Sequence, residues 1–153
     1  MRPRSQRVRS WTMQNILVPV DGSDGSIAAA RFAARLARDA GASVTLFHSH
    51  DSTTADQLGM ARMSREEFAQ AQERIARGSF DRAREAMKGI DVAITEVPTI
   101  GPPAIEITAW AAQHRPDLIV MGSRGLSPLK TLLLGSISDH VLRHAPCPVT
   151  IVR

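Results

Sequence analysis

The stretch MGSRGLSPLKTLLLGS (121–136) sets Gly122, Gly125, Gly135 and Ser136 in the spacing G-x2-G-x9-G-S, directly after an apolar run. These residue types in this order suit the holding of an anion. Glycine lets backbone turn through positive φ and come close to a ligand. Successive backbone amides in such a loop form an anion-binding concavity, and a helix that follows adds its free amide donors and positive dipole end. Ser136 stands where a hydroxyl could meet a phosphate oxygen, with Arg124 and Lys130 available to neutralise charge. The same residues admit a plainer use. Ser136 and Asp139 form S-x-x-D, a helix-capping pattern, Gly122 suits a strand-end turn, and basic residues in loops are commonly just solvated. Capping and phosphate contact are compatible, and spacing does not choose between them.

Other nucleotide signatures are incomplete. The segment GLSPLKT (125–131) nearly mimics the Walker pattern, but Leu129 stands where the glycine before the lysine belongs. No G-x-G-x-x-G follows the first apolar run, which argues against the usual dinucleotide fold. Asp21, in VPVDGS, could hold a metal, orient water, accept hydrogen bonds or cap the next turn. Nothing near the glycines stands out as a general base, and phosphoryl transfer needs a positioned nucleophile. Binding with at most slow hydrolysis is the expectation. His48 and His50 share a strand face, and His140 and His144 have helical metal-ligand spacing, but no carboxylate or cysteine completes either pair. Both read as structural or solvated. The single cysteine, Cys147, lies between two prolines and reads as a buried, inert thiol.

The elements that must position these residues alternate. NILVPV (15–20) reads as a strand and DGSDGS as a turn. IAAARFAARLARDAG (27–41) reads as a helix closed by Gly41. SVTLFHSH (43–50) is a strand, and 51–63 a polar loop with room for a turn of helix. A long helix spans 64–88, ended by Gly89. Strands follow at 91–97, 116–122 and 147–153, with helices at 101–114 (proline in its first turn) and 136–145. Strands alternating with helices imply an α/β fold: a doubly wound, five-stranded parallel sheet, strand order 3-2-1-4-5, with helices on both faces. Such a sheet binds ligands at the carboxyl ends of its strands, where the winding reverses. Asp21 and Gly122 stand at the tips of the first and fourth strands, on one crevice.

Length and composition set bounds. The 153 residues fit one domain, and with four Phe, two Trp and no Tyr the core must rest on Ala, Val, Ile and Leu. No apolar run suits a spanning helix, so no membrane partner is expected. The net charge of +4 comes from Arg2, Arg4, Arg7 and Arg9; the other 15 of the 19 basic residues balance the 15 acidic ones. The charge thus sits in a tail, and no folded basic footprint for a specific nucleic acid is indicated. Residues 1–12 lack the apolar segment of a secretory signal and are read as a disordered basic arm preceding a domain over 13–153, with Met13 an alternative start. Cysteine usage leans toward a reducing, cytoplasmic setting.

Taken together, NILVPVDGS, the half DLIVMGSRG…LLLGSISDHVLRHAPCPVTIVR and the G-x2-G-x9-G-[ST] motif closely resemble the ATP-binding branch of the universal stress protein family, over about residues 13–153. The resemblance implies the fold above, of the adenine nucleotide alpha hydrolase-like, Rossmann-like kind. It implies ATP, accompanied by Mg²⁺ or Mn²⁺, at a site of Pro19, Val20, Asp21, Ser49, Met121, Gly122, Arg124, Gly125, Gly135, Ser136, Ile137 and Ser138. Adenosine would lie over the first two strand ends with Asp21 near the ribose, and the phosphates on the glycine loop. Ser49 stands where the family often has a small apolar residue beside adenine, a more polar setting. The resemblance also implies a homodimer through the last strand, whose apolar PVTIV would otherwise be an uncovered sheet edge, and a nucleotide-dependent regulatory role in stress adaptation. Two alternatives stand beside it: a scaffold of the same fold that binds no nucleotide, and an adenylating α/β enzyme, whose serine-glycine-glycine loop VDGSDGS does not match.

Overall fold

Strand Asn15–Pro19 (β1) sends Ile16 and Val18 to one side of the sheet and Leu17 to the other, and all three are fully buried. The same alternation runs through Ser43–His50 (β2), with Val44 and Leu46 opposite Phe47, and through Leu118–Gly122 (β4), with Leu118 and Val120 opposite Ile119 and Met121. A sheet apolar on both faces must be covered on both, which is the physical signature of parallel strands joined by helical crossovers. The computed structural model describes residues 12–52, 59–125 and 134–153. Lys130, the start of the basic arm and the middle of the 51–63 loop therefore lie outside the described residues.

All strands of the sheet run parallel, in the order β3-β2-β1-β4-β5, with Ile94–Ile100 (β3) and Val149–Val152 (β5) at the edges. Helices Asp24–Ala40 (α1) and Arg65–Met87 (α2) cover one face, and Pro103–His114 (α3) and Ser136–His144 (α4) the other. Ala29, Ala30, Ala33, Ala34 and Ala37 form the buried side of α1. With so few large side chains between, α1 sits close on the sheet, and Phe80 of α2 fills the remaining space beside Leu46. The second core joins Leu17, Phe47, Ile119 and Met121 to Ile107, Ala111 and Val141. No helix among the described residues is long and apolar enough to cross a membrane.

The boundaries depart from the sequence reading at informative places. α1 begins at Asp24 rather than 27, because Ser23 caps it by accepting from the Ser26 amide at 3.3 Å. The turn cluster DGSDGS thus supplies the first helical turn. At the other end Gly41 adopts φ 69 and its amide donates the closing bonds to the Ala37 and Arg38 carbonyls, as expected. α2 starts at a capping box between Ser64 and Glu67, whose hydrogen bonds from the Ser64 backbone and hydroxyl lower the Glu67 carboxyl pKa. β3 covers Ile94–Ile100 rather than 91–97 and runs through Pro98, paired with His48. A proline is tolerated there because an edge strand has one side without a ladder partner. The strand keeps its expected length but is shifted toward the crevice, so that it pairs with β2 through His50 and ends beside Gly101.

Leu46 is fully buried in the sheet's centre. Leu46→Ala is expected to cost about 2–5 kcal/mol in urea unfolding without changing the fold; a loss below about 1 kcal/mol would mean the α1–α2 layer does not depend on this packing.

Candidate functional site

Because β1 lies between β2 and β4, the chain leaves β1 toward one edge and later returns to its other side. The carboxyl ends of β1, β2 and β4 therefore open on a crevice at the reversal of winding, where α/β sheets bind ligands. A cavity of about 340 Å³ occupies it. Pro19, Val20 and Asp21 line it from β1, Ser49 from β2, Met121 and Gly122 from β4, Arg124 and Gly125 from the loop that follows, and Gly135, Ser136, Ile137 and Ser138 from the start of α4. Every residue of the site expected from the sequence is thus brought to one cavity.

The glycine loop is tied shut at its neck. The Gly135 amide donates to the Ser123 carbonyl at 2.8 Å, and the Ser138 hydroxyl reaches the same oxygen at 2.9 Å and the Gly135 carbonyl at 3.0 Å. Residues at the two ends of the x9 interval consequently stand side by side. Ser138 is buried, and its proton is used inside this neck, so its role in the cavity is to hold the loop.

The three motif glycines have different reasons to be glycine. A Cβ on Gly122 would lie 2.7 Å from the Gly25 carbonyl carbon: the first turn of α1 packs backbone to backbone on the end of β4. A Cβ on Gly25 would lie 2.8 Å from the Arg124 carbonyl oxygen. A Cβ on Gly125 would run into Oδ2 of Asp21. Gly135, at φ −74, would meet Arg124, Ser123 and Ser138 at 3.5–3.6 Å, ordinary contact distances. No described neighbour excludes a side chain at Gly135.

Gly135 is also the N-cap residue of α4, and no side-chain cap hydrogen bond is made there. The S-x-x-D capping reading of Ser136 is thereby corrected: Ser136 is the first helical residue and exposed, and Asp139 pairs with Arg143 at 3.0 Å. The first amides of α4 face the cavity mouth without a capping side chain, and helix-start amides otherwise need a partner.

Asp21 faces this loop from across the crevice. Its Oδ1 accepts from the Ser23 amide at 2.9 Å and the Ser23 hydroxyl at 2.5 Å, while Oδ2 lies toward Gly125. The carboxylate is fixed by its own turn and keeps one oxygen toward the cavity. Ser49 donates its hydroxyl to the Gly101 carbonyl at 2.8 Å. The polar side chain is therefore already partnered by the end of β3, which offsets the polarity that its position beside a base would bring.

Gly25, Ser26, Phe47, His48, His50, Asp51 and Pro103 also stand at the site, or in Gly25's case behind it, and were not expected. Phe47 was within reach, since strand alternation and the pairing of Pro19 with Phe47 put it in the same layer. His48 is buried, with Nδ1 at 2.8 Å from the Val20 carbonyl and its ring edge-on to Phe80. A carbonyl only accepts, so Nδ1 is the donor. His140 and His144 stack at 4.2 Å, with Nδ1 of His144 on the His140 carbonyl at 2.8 Å. Among the described residues no three His, Cys, Asp or Glu side chains cluster as a metal site. Cys147 is half-buried, and burial, with the Asp117 charge adding to it, pushes its thiol pKa up, away from reactivity.

Comparison with known proteins places these features in context. The model of the universal stress protein family matches residues 12–153. A universal stress protein of Thermus aquaticus is 36% identical over 146 residues, covering 92% of this chain and 98% of that protein. The structure of universal stress protein UspA from Lactobacillus plantarum superimposes with a TM-score of 0.77 at 28% identity, covering 94% of this chain and 99% of that one. A universal stress protein solved in complex with cAMP superimposes with a TM-score of 0.65 at 28% identity, covering 94% and 98%.

The glycine geometry separates two variants. Gly122→Ala should lose about 1–3 kcal/mol in chemical unfolding through overpacking on Gly25, whereas Gly135→Ala should stay within about 0.5 kcal/mol of the parent. Equal losses would contradict the assignment of one glycine to packing and the other to the cavity.

Proposed function

The chain belongs to the universal stress protein family, and from that premise we propose that it binds ATP in this crevice and acts as a nucleotide-dependent regulatory module. One observation carries the reading. The uncapped start of α4 opens on the cavity beside Gly135, a glycine that no described packing contact requires. Close approach of a phosphate to backbone amides supplies the missing reason for glycine and the missing partner for the helix. The relative solved with cAMP supports an adenine nucleotide as the ligand class.

In this reading the base lies over the ends of β1 and β2, against Val20, Phe47 and Met121, apolar surfaces that suit a flat heterocycle. Asp21 accepts from the ribose hydroxyls through its oxygen toward the cavity. The phosphates meet the amides of Gly125 and of the first turn of α4, the Ser136 hydroxyl and the Arg124 charge. Mg²⁺ or Mn²⁺ fits the donor chemistry: such ions use one or two carboxylates together with phosphate oxygens and water, and Asp21 and Asp51 are the carboxylates lining the cavity among the described residues. When bound, the ion would neutralise phosphate charge. Asp21 is held by its own turn and its remaining oxygen is assigned in this reading to the ribose, so it is not set to take a proton from an attacking water. Hydrolysis is expected to be slow at most, and the role to be that of a switch working in the cytoplasm.

The assembly in this reading is a homodimer through β5. Val149–Val152 form a sheet edge, all four residues are only partly buried, and Ile151 and Val152 belong to opposite apolar layers. A partner strand would cover both layers and the unpaired backbone at once.

Calorimetry with ATP and Mg²⁺, beside a Gly135→Val variant, tests the nucleotide reading. Wild type should bind and leave the ATP largely intact over the titration; the variant should lose binding with an unchanged circular dichroism spectrum. A wild type that takes up no ATP would favour a scaffold of the same fold instead. Light scattering tests the assembly: twice the chain mass is expected at micromolar concentration, and a mass of 16.6 kDa would exclude the dimer.

A further inference from the structure

We infer that Arg82, on α2 and outside the cavity, is a positioning residue for the nucleotide site, a role that rests on the reading above. Its guanidinium donates through Nη1 to the Gly22 carbonyl and through Nη2 to Asp24 at 3.1 Å. These two residues flank Ser23 in the turn between β1 and α1, and that turn touches the site on both of its sides. Toward the cavity, Ser23 holds the Asp21 carboxylate through its amide and hydroxyl. Toward the sheet, Gly25 lies backbone to backbone on Gly122 and against the Arg124 carbonyl. A shift of the turn therefore moves Asp21 and the glycine loop together.

On its outer side the turn faces α2. Gly22 adopts φ 81, and the nearest atom to a Cβ there would be the Ser79 hydroxyl at 3.4 Å, also on α2. The ion pair with Asp24 matters least, because that carboxylate is fully exposed and surface pairs contribute little. The bond to the Gly22 carbonyl carries the effect. A planar guanidinium presents parallel donors to the carbonyl and the carboxylate at once, which an ammonium on a flexible stem does not reproduce. Arg77, earlier on the same helix, supplies the comparison: it has the same charge but, among the described residues, pairs with Glu73 on its own helix.

The test uses the whole chain as Arg82→Ala, Arg82→Lys and Arg77→Ala, with two readouts: affinity for ATP with Mg²⁺ by calorimetry, and backbone amide resonances of the unliganded protein. Arg82→Ala should weaken ATP roughly three- to tenfold, the net worth of one hydrogen bond. It should also move the amide resonances of Gly25, Gly122 and Gly125, none of which is among the hydrogen-bond partners Gly22 and Asp24 of Arg82. Arg82→Lys should fall between, and Arg77→Ala should match wild type in both. Wild-type affinity in Arg82→Ala, unmoved glycine resonances, or an Arg77→Ala protein that behaves like Arg82→Ala would each overturn the inference. If wild type itself binds no ATP, the nucleotide reading fails separately, and the resonances alone decide: moved, they support the clamp; unmoved, they overturn it.

Discussion

The backbone of Gly25 lies against that of Gly122 with no side chain between them, and the geometry of the crevice follows from that contact. It sets how close the start of α1 comes to the end of β4. The distance in turn fixes where the preceding turn can hold Asp21 and where the following loop can run. One methyl group on either residue would enter space that backbone already fills, and close-packed interiors do not absorb such an intrusion without moving their neighbours. The alanine face of α1 continues the same design along the helix, since small residues let it lie low on β1 and β4.

A second constraint acts at the Ser123 carbonyl. That single oxygen receives the Gly135 amide and lies within reach of the Ser138 hydroxyl, so an excursion of the chain begins and ends at one point. Ser123 and Gly135 are thereby held together. The entropic cost of closing the loop is met by the fold, before any ligand arrives. What remains open is the cavity-facing start of α4. In a structure whose buried side-chain polar atoms all have partners among the described residues, this helix start stands without a capping side chain.

Much of this was legible in the chain. Strand and helix order and parallel pairing follow from contiguous apolar patterns, and the strand sequence 3-2-1-4-5 from setting the first and fourth strands side by side where the winding reverses. The G-x2-G-x9-G-S spacing pointed to glycines that line the cavity, and Asp21 to a strand tip that lines it too. Other features were not legible. Gly25 was hidden in DGSDGS, a cluster that local turn chemistry explains fully, and Ser23 turned half of that cluster into a helix start. The Ser49 hydroxyl gains its partner only because β3 runs past Pro98 to bring Gly101 beside it.

The amino-acid sequence by itself determined which segments become strands and helices, and that a glycine loop follows the fourth strand. Those properties depend on periodicity and turn chemistry within a few residues of each other. Only the tertiary structure decided what each glycine is for. Gly122 answers to Gly25, Gly125 to Asp21, and Gly135 to no described packing contact. The first depends on two backbones meeting and the second on a side chain reaching across the crevice, and both are set by register and helix placement, which no local stretch of sequence contains.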